Sequence, residues 1–279
     1  MSIELEPTGE RVIEDAYFRS LGAYVIYVMH AASYGFAESF CEGKAVLDLG
    51  CGSGYGAARI SKVATSVCGV DISQEAIDFA RARYAAPNLS YARIEPGSPL
   101  PFDDATFDVA LSFQVIEHVP DDVGYLREAQ RVLKPGGVMI VITPDRRHRL
   151  LPAQKPWNRW HLREYSASGL AQLISQVFDL QQSLRMGAPW SIAGVEHRRY
   201  RITKWLTLPV TLPFIPERLR RHGLDFIHSL RSKPAAVDAQ STGPLPKYDF
   251  DEQAILIAPD PPHSLNLVMV ARKAGGSQQ

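Results

Sequence analysis

Two hydrophobic periods alternate along residues 44–143. Short apolar runs fall near 44–49, 66–71, 89–94, 107–113 and 137–143, and segments with apolar residues at every third or fourth position lie near 54–63, 73–84 and 121–133. The short runs, bounded by turn residues, predict buried strands; the longer period predicts helices. Strands that alternate with helices predict an α/β fold, a parallel sheet covered by helices on both faces. Ser73 is placed to cap the second helix, with Glu75 and Asp78 favourable in its first turns. Lys134-Pro135-Gly136-Gly137 stops the third, because proline cannot continue a helix and glycine takes the left-handed exit.

Outside this block the pattern changes. A polar lead is followed by a helix near 15–40 rich in aromatics, among them Tyr17, Phe18, Tyr24, Tyr27, Tyr34 and Phe36. Residues 1–43 read either as a helical lid or as a helix packed on the sheet edge. Residues 144–165 form a basic, proline-broken loop that leads to a helix at 166–177, a strand near 178–186 and a last strand near 265–272. The chain thus divides into an N-terminal lid (1–43), a core (44–196), a basic helical insertion with linker (197–247), and a final strand with tail (248–279). The insertion carries nine Lys or Arg against two acids over 197–233, interleaved with Trp205-Leu206 and Phe214-Ile215. It reads as a cap with a solvated basic side, or as a surface for an anionic lipid headgroup or a pyrophosphate-linked saccharide, hence peripheral membrane contact. Pro209, Pro213 and Pro216 argue against one continuous amphipathic helix. Residues 232–247, with several Pro, Ala, Ser and Gly, read as a flexible linker.

Composition narrows the partners. The 279 residues are 46% hydrophobic and 22% charged, with formal net charge zero and pI about 7.1, so no global field recruits nucleic acid. Residues 21–37 are interrupted by His30 and fall short of a membrane span. Cys41, Cys51 and Cys68 are odd in number and lack metal-ligand spacing, which points to a reducing compartment. With no basic leader, the expected location is cytoplasmic.

The stretch with chemistry in it is 44–71. Gly50, Gly52, Gly54 and Gly56 lie between the first strand and its helix, and Asp71 closes the second strand. Glycines are required where φ is positive or a ligand lies against the backbone, and an acid at that distance is placed to accept from two ribose hydroxyls. Spacing disfavours NAD: counting from Gly50, Tyr55 stands where the third glycine of the dinucleotide fingerprint belongs.

Asp48-Leu49-Gly50-Cys51-Gly52-Ser53-Gly54 resembles motif I of the class I S-adenosylmethionine-dependent methyltransferases. Further motifs follow in order: Gly69-Val70-Asp71-Ile72-Ser73, Leu100-Pro101-Phe102 with Phe107-Asp108, the run from Ser112 through Gln114, Val115, Ile116 and Glu117 to His118, and Arg131-Val132-Leu133-Lys134-Pro135-Gly136-Gly137. The resemblance implies a Rossmann-like seven-stranded sheet with an antiparallel final pair, N-terminal helices, a helical insertion before the last strand, and S-adenosylmethionine as cofactor. It further implies that Asp48 braces the glycine turn, that Gly50, Gly52 and Gly54 admit the methionine portion, that Asp71 takes the ribose hydroxyls, that Ile72 faces the adenine, and that Phe113 and Gln114 line the opposite wall. Where the family has an acid for the adenine amino group this chain has Pro96, with Glu95 as the near substitute. Thr8-Gly9-Glu10-Arg11, and the stretch around His161, Arg163 and Glu164, resemble segments of methyltransferases of glycan assembly.

Methyl transfer from a sulfonium is an in-line displacement that depends on holding acceptor, carbon and sulfur in line. A hydroxyl acceptor also gains from a base, and histidine suits that task near neutral pH. His118, at the exit of the fourth strand, and His161 are the candidates. Asp121 and Asp122 need no metal, since acids are favourable at a helix start, and no metal is expected. The resemblance of Thr8-Gly9-Glu10-Arg11 and of the His161 stretch implies methyl transfer to a hydroxyl on a sugar of a nucleotide- or lipid-linked glycan or polysaccharide. Two alternatives stay open: an N- or O-methyltransferase of a small natural product, and a non-catalytic binding module of the same fold.

Overall fold

The computed structural model describes residues 20–231 and 247–275. Thr8 to Arg11, and nearly all of the linker expected at 232–247, lie outside the described residues.

Helix α1 (Leu21–Cys41) begins where the Ser20 side chain accepts from the Ala23 N–H at 3.2 Å. The core alternation follows: β1 (Ala45–Leu49), α2 (Tyr55–Ile60), β2 (Ser66–Asp71), α3 (Gln74–Arg83), β3 (Leu89–Arg93), β4 (Phe107–Phe113), a 3₁₀ turn (Ile116–His118), α4 (Asp122–Val132) and β5 (Leu133–Pro144). Beyond it lie α5 (Arg146–Arg149), α6 (Ala167–Ile174), β6 (Asp179–Gly187), α7 (Trp190–Leu206), α8 (Leu208–Thr211), α9 (Glu217–Arg231), β7 (Leu256–Ala258) and β8 (Ser264–Arg272). Ser73 accepts from Ala76 N–H as expected and Asp121 from Gly124 N–H. The stop of α4 differs from the expectation, because the helix ends at Val132 with Leu133 already extended, and Gly136, at φ +76°, lies within β5.

The sheet runs β3-β2-β1-β4-β5-β8-β6-β7. The first five strands are parallel, and β8 enters antiparallel between β5 and β6. The side chains of β5 show the period of two. Ile140 and Ile142 join the core beneath α1, α2 and α7, whereas Met139 and Val141 join the opposite core with Leu126 of α4 and Ile174 of α6. Both faces of the central strands are therefore covered, which is why they read as continuous apolar runs.

Three expectations need correction. The sheet has eight strands, not seven, because β7 adds antiparallel to β6 through Met186↔Ile257 and Arg185↔Ala258; three residues are too few to carry a period. The insertion does not begin at 197. Pro189 ends the strand connection and α7 starts at Trp190, so that boundary cuts a helix whose Ile192, Ala193 and Tyr200 are part of the main core. The N-terminal helix packs on a sheet face rather than at its edge, contributing Val25, Val28 and Met29 to that core. Its Tyr34 ring lies against α2 at a position only glycine allows, since a Cβ on Gly56 would come within 1.9 Å of the ring.

Candidate active site

In such sheets ligands bind beyond the carboxyl ends of the strands, where the order reverses between β1 and β4. The glycine turn after β1 stands there. Gly50, Gly52 and Gly54 all have positive φ, at +74°, +53° and +84°. Two of them also answer to packing: a Cβ on Gly50 would meet Val115 at 2.5 Å, and one on Gly54 would meet Ala80 at 2.6 Å and Tyr91 at 2.9 Å. Gly52 is different, because its missing Cβ points into open space. That opening leaves room for a ligand to approach the backbone.

Asp71 ties the turn to the second strand. Its Oδ2 accepts from Gly52 N–H at 3.0 Å and its Oδ1 from Ser73 N–H at 2.9 Å. Ile72, the next residue, is 56% exposed despite being large and apolar. An acid beside a bare apolar side chain, next to an opening of glycine backbone, fits a ribose with its adenine, so the residues present suit S-adenosylmethionine. Glu95 is exposed at the end of β3 and pairs with Arg93 at 2.9 Å. Phe113 is buried, edge-to-face on Tyr34 at 5.0 Å. Gln114 takes φ +59°, donates its backbone N–H to Ile142 O at 2.7 Å, and lines a cavity at the strand exits.

Asp48 lies under the turn, 1% exposed, and accepts from the Tyr34 hydroxyl at 3.1 Å. Burial pushes its pKa up to about 7; the Tyr34 hydrogen bond opposes the rise and Asp71 adds to it. In the unfolded chain the same carboxyl titrates near ~4. Between these values the folded chain holds a proton the unfolded chain lacks, so stability falls as pH rises from about 4 to about 7 and levels off above. Asp48→Asn is therefore expected to be more stable than the parent at pH 8 by on the order of 2 kcal/mol, and no more stable at pH 4. Urea unfolding at the two pH values checks this; an equal gain at both would refute the assignment.

The two histidines come together. Their rings meet edge-to-face at 4.8 Å, although 43 positions separate them in sequence. The loop carrying His161 is pinned to the exit of β4 by Leu162 N–H donating to Glu117 O at 2.9 Å and by Arg163 donating to Pro120 O at 2.8 Å. His118 Nδ1 lies 3.1 Å from Trp160 O, and His161 Nδ1 lies 3.1 Å from Glu164 Oε1. Glu164 is buried and paired with Arg149 at 3.0 Å. Burial would push its carboxyl up, but Arg149 and His161 hold it below the usual carboxylate range. Arg149 in turn lies over the Trp157 and Tyr200 rings at 4.4 and 4.8 Å.

Glu117 completes the cluster. It is fully buried, its Oε2 accepts from Thr143 Oγ1 at 2.9 Å, and its Oε1 has no hydrogen-bond partner. Asp121 and Asp122 need no ion: one caps α4, and the other accepts from Tyr165 and pairs with Arg163. The cavity over this cluster is lined by His30 of α1 with Gln114, Asn158, His161, Tyr200 and Asn266. The sequence reading did not single out Glu117, Glu164, Arg149 or His30. Glu117 and Glu164 were nevertheless visible as neighbours of the two histidines, one adjacent and one three residues on.

Residues 47–141 match the family model described as "Methyltransferase domain". A Mycolicibacterium smegmatis protein named "Probable S-adenosylmethionine-dependent methyltransferase" is 36% identical over 183 residues, covering 63% of this chain and 66% of that protein. The "Ubiquinone biosynthesis O-methyltransferase" of Caulobacter vibrioides is 34% identical over 123 residues, covering 43% of this chain and 49% of that protein. The chain thus spans less than two thirds of either relative. A solved S-adenosylmethionine-dependent methyltransferase from Mesorhizobium loti superposes with TM-score 0.52 at 15% identity, over 88% of this chain and 99% of that one, a likeness of fold.

Proposed function

We propose that this chain, whose residues 47–141 form a domain of the class I S-adenosylmethionine-dependent methyltransferases, transfers a methyl group to a hydroxyl of an acceptor presented at a membrane surface, a sugar of a lipid-linked glycan. Hydroxyl transfer is supported above all by the cavity at the strand exits that Gln114, Asn158 and the buried His161 line, and one relative is named for O-methyl transfer.

When bound, the cofactor supplies an electrophilic methyl on a sulfonium. The chain's residues do the rest. Asp71, which keeps Gly52 in place, would accept from the ribose hydroxyls, the exposed Ile72 would pack on the adenine, and the backbone at Gly52 would admit the methionine portion. Gln114, Asn158 and Tyr200, which line the cavity, would orient the acceptor by hydrogen bonds, as an in-line displacement requires. The acceptor's proton leaves towards the cluster of Glu117, His118 and His161.

The membrane assignment is supported by what α7 to α9 expose. Trp205 is 58% exposed and Phe214 74%, and Ile202, Leu219 and Phe226 are also bare. Arg198, Ile202 and Trp205 fall on one stripe of α7, and Leu219 and Phe226 on one stripe of α9 with exposed Arg218 and Arg221 beside it. Aromatic side chains among arginines suit an anionic lipid surface. No helix among the described residues is long and apolar enough to cross a membrane, so contact would be from one side.

Flotation with vesicles tests this. The protein is expected to rise with phosphatidylglycerol-containing vesicles and stay behind with neutral phosphatidylcholine ones, and the double variant Trp205→Ala, Phe214→Ala should lose at least tenfold in partitioning. Absence from both kinds of vesicle would remove the membrane. Label from S-adenosylmethionine should enter a lipid extract rather than water-soluble sugars; label in a water-soluble acceptor alone would favour the natural-product alternative.

A further inference from the structure

We infer that Glu117, His118 and His161 form a binding site for one divalent transition-metal ion. Among the described residues their ligand atoms are a group of three potential donors that all lie within 4.8 Å of one another. Proximity alone would not suffice, because buried histidines and acids often pair without an ion. What distinguishes this group is how its outer hydrogen bonds fix each ligand.

Trp160 O is a carbonyl and can only accept, so His118 must carry its proton on Nδ1. Glu164, held as a carboxylate by the buried Arg149, likewise takes the Nδ1 proton of His161. In the neutral form that a metal ligand must take, each ring then has its lone pair on Nε2. Glu117 is held through Oε2 by Thr143, while its other oxygen, Oε1, is buried with no hydrogen-bond partner. Each ligand thus has an outer partner that orients it, the arrangement by which metal sites set histidine tautomers and carboxylate rotamers. A buried carboxylate oxygen without a hydrogen bond is otherwise costly, and a cation would satisfy it.

Two imidazoles and one carboxylate suit Zn²⁺, Mn²⁺ or Co²⁺ better than Mg²⁺ or Ca²⁺, which take oxygen ligands. Three protein ligands leave coordination positions open on a catalytic ion. The cavity lined by His161, Gln114 and Asn158 borders the site. A cation here would engage the lone pairs of both histidines, so it would act as a Lewis acid that acidifies the acceptor hydroxyl, whose proton would pass to solvent rather than to the rings; in this respect the inference deepens the hydroxyl-transfer reading and rests on it. Ion binding itself does not depend on that reading.

The test is calorimetric titration of the full chain with Zn²⁺ after chelator treatment and dialysis, and with Co²⁺ followed by its visible absorption. One ion per chain is expected. Glu117→Gln and His118→Gln should each weaken binding at least tenfold and remove the Co²⁺ bands, and Glu164→Gln, acting through the orientation of His161, should weaken it 10- to 100-fold. His118 is only half-buried, so its variant remains informative if Glu117→Gln does not fold, as judged by circular dichroism. No uptake, or uptake with equal affinity in the His118→Gln and Glu164→Gln variants, would overturn the site. Uptake without methylation of any hydroxyl acceptor would keep the metal and remove the hydroxyl reading. Methylation unaffected by chelator, with no uptake, would do the reverse.

Discussion

Asp71→Ala is expected to weaken S-adenosylhomocysteine binding at least a hundredfold. Each hydrogen bond to a charged group contributes about 1.5–3 kcal/mol, and two ribose hydroxyls would lose theirs. The variant also releases Gly52 and Ser73, whose N–H groups donate to the two carboxylate oxygens. The turn that admits the cofactor would then lose its fixed position. Asp71→Asn keeps one acceptor oxygen and should fall between the parent and the alanine variant. Calorimetric titration measures both, with NAD as the control ligand expected not to bind. Unchanged affinity in Asp71→Ala would mean that the cofactor lies elsewhere, and the whole assignment of the β1–β2 edge would fail.

His161→Ala is expected to lower kcat by about a hundredfold or more at saturating cofactor, whether the ring takes the proton itself or holds the cation that acidifies the hydroxyl. Affinity for S-adenosylhomocysteine should stay within about twofold, because His161 belongs to the acceptor side of the cavity. His118→Ala is the comparison. Its ring is half-buried and meets Trp160 O at 3.1 Å, whereas His161 is 3% exposed and fixed through Glu164 and Arg149, so the larger loss is expected at His161. If neither variant falls tenfold, proton removal by this cluster is wrong. A thermal melt of each variant separates a catalytic loss from unfolding, since Glu164 keeps its Arg149 partner when His161 is removed.

The sequence determined most of the fold because its determinants are local. Strand and helix periods and the Ser73 cap each act over a few residues, and the structure has them where the pattern put them, although α4 stops at Val132, before the Lys134-Pro135-Gly136-Gly137 stretch. The glycine turn was legible for the same reason, since positive φ at Gly50, Gly52 and Gly54 is a requirement on single residues. Even so, the sequence could not tell Gly52, which opens to space, from Gly50 and Gly54, which are closed by Val115 and Ala80. β7 was missed because three residues carry no period and pair only by lying against β6. The division at 197 was misplaced because charge changes there while packing does not.

Tertiary structure alone decided what the histidines are part of. His118 ends a strand exit and His161 sits in an irregular loop, and no spacing rule connects positions 43 residues apart. Their meeting depends on Leu162 and Arg163 docking on backbone carbonyls of Glu117 and Pro120. The tautomers depend on Trp160 O and on a carboxylate that Arg149 keeps ionised. Local propensity fixed where the chain turns; which donors then face one another was set by long-range packing, whose partners no local window of sequence contains.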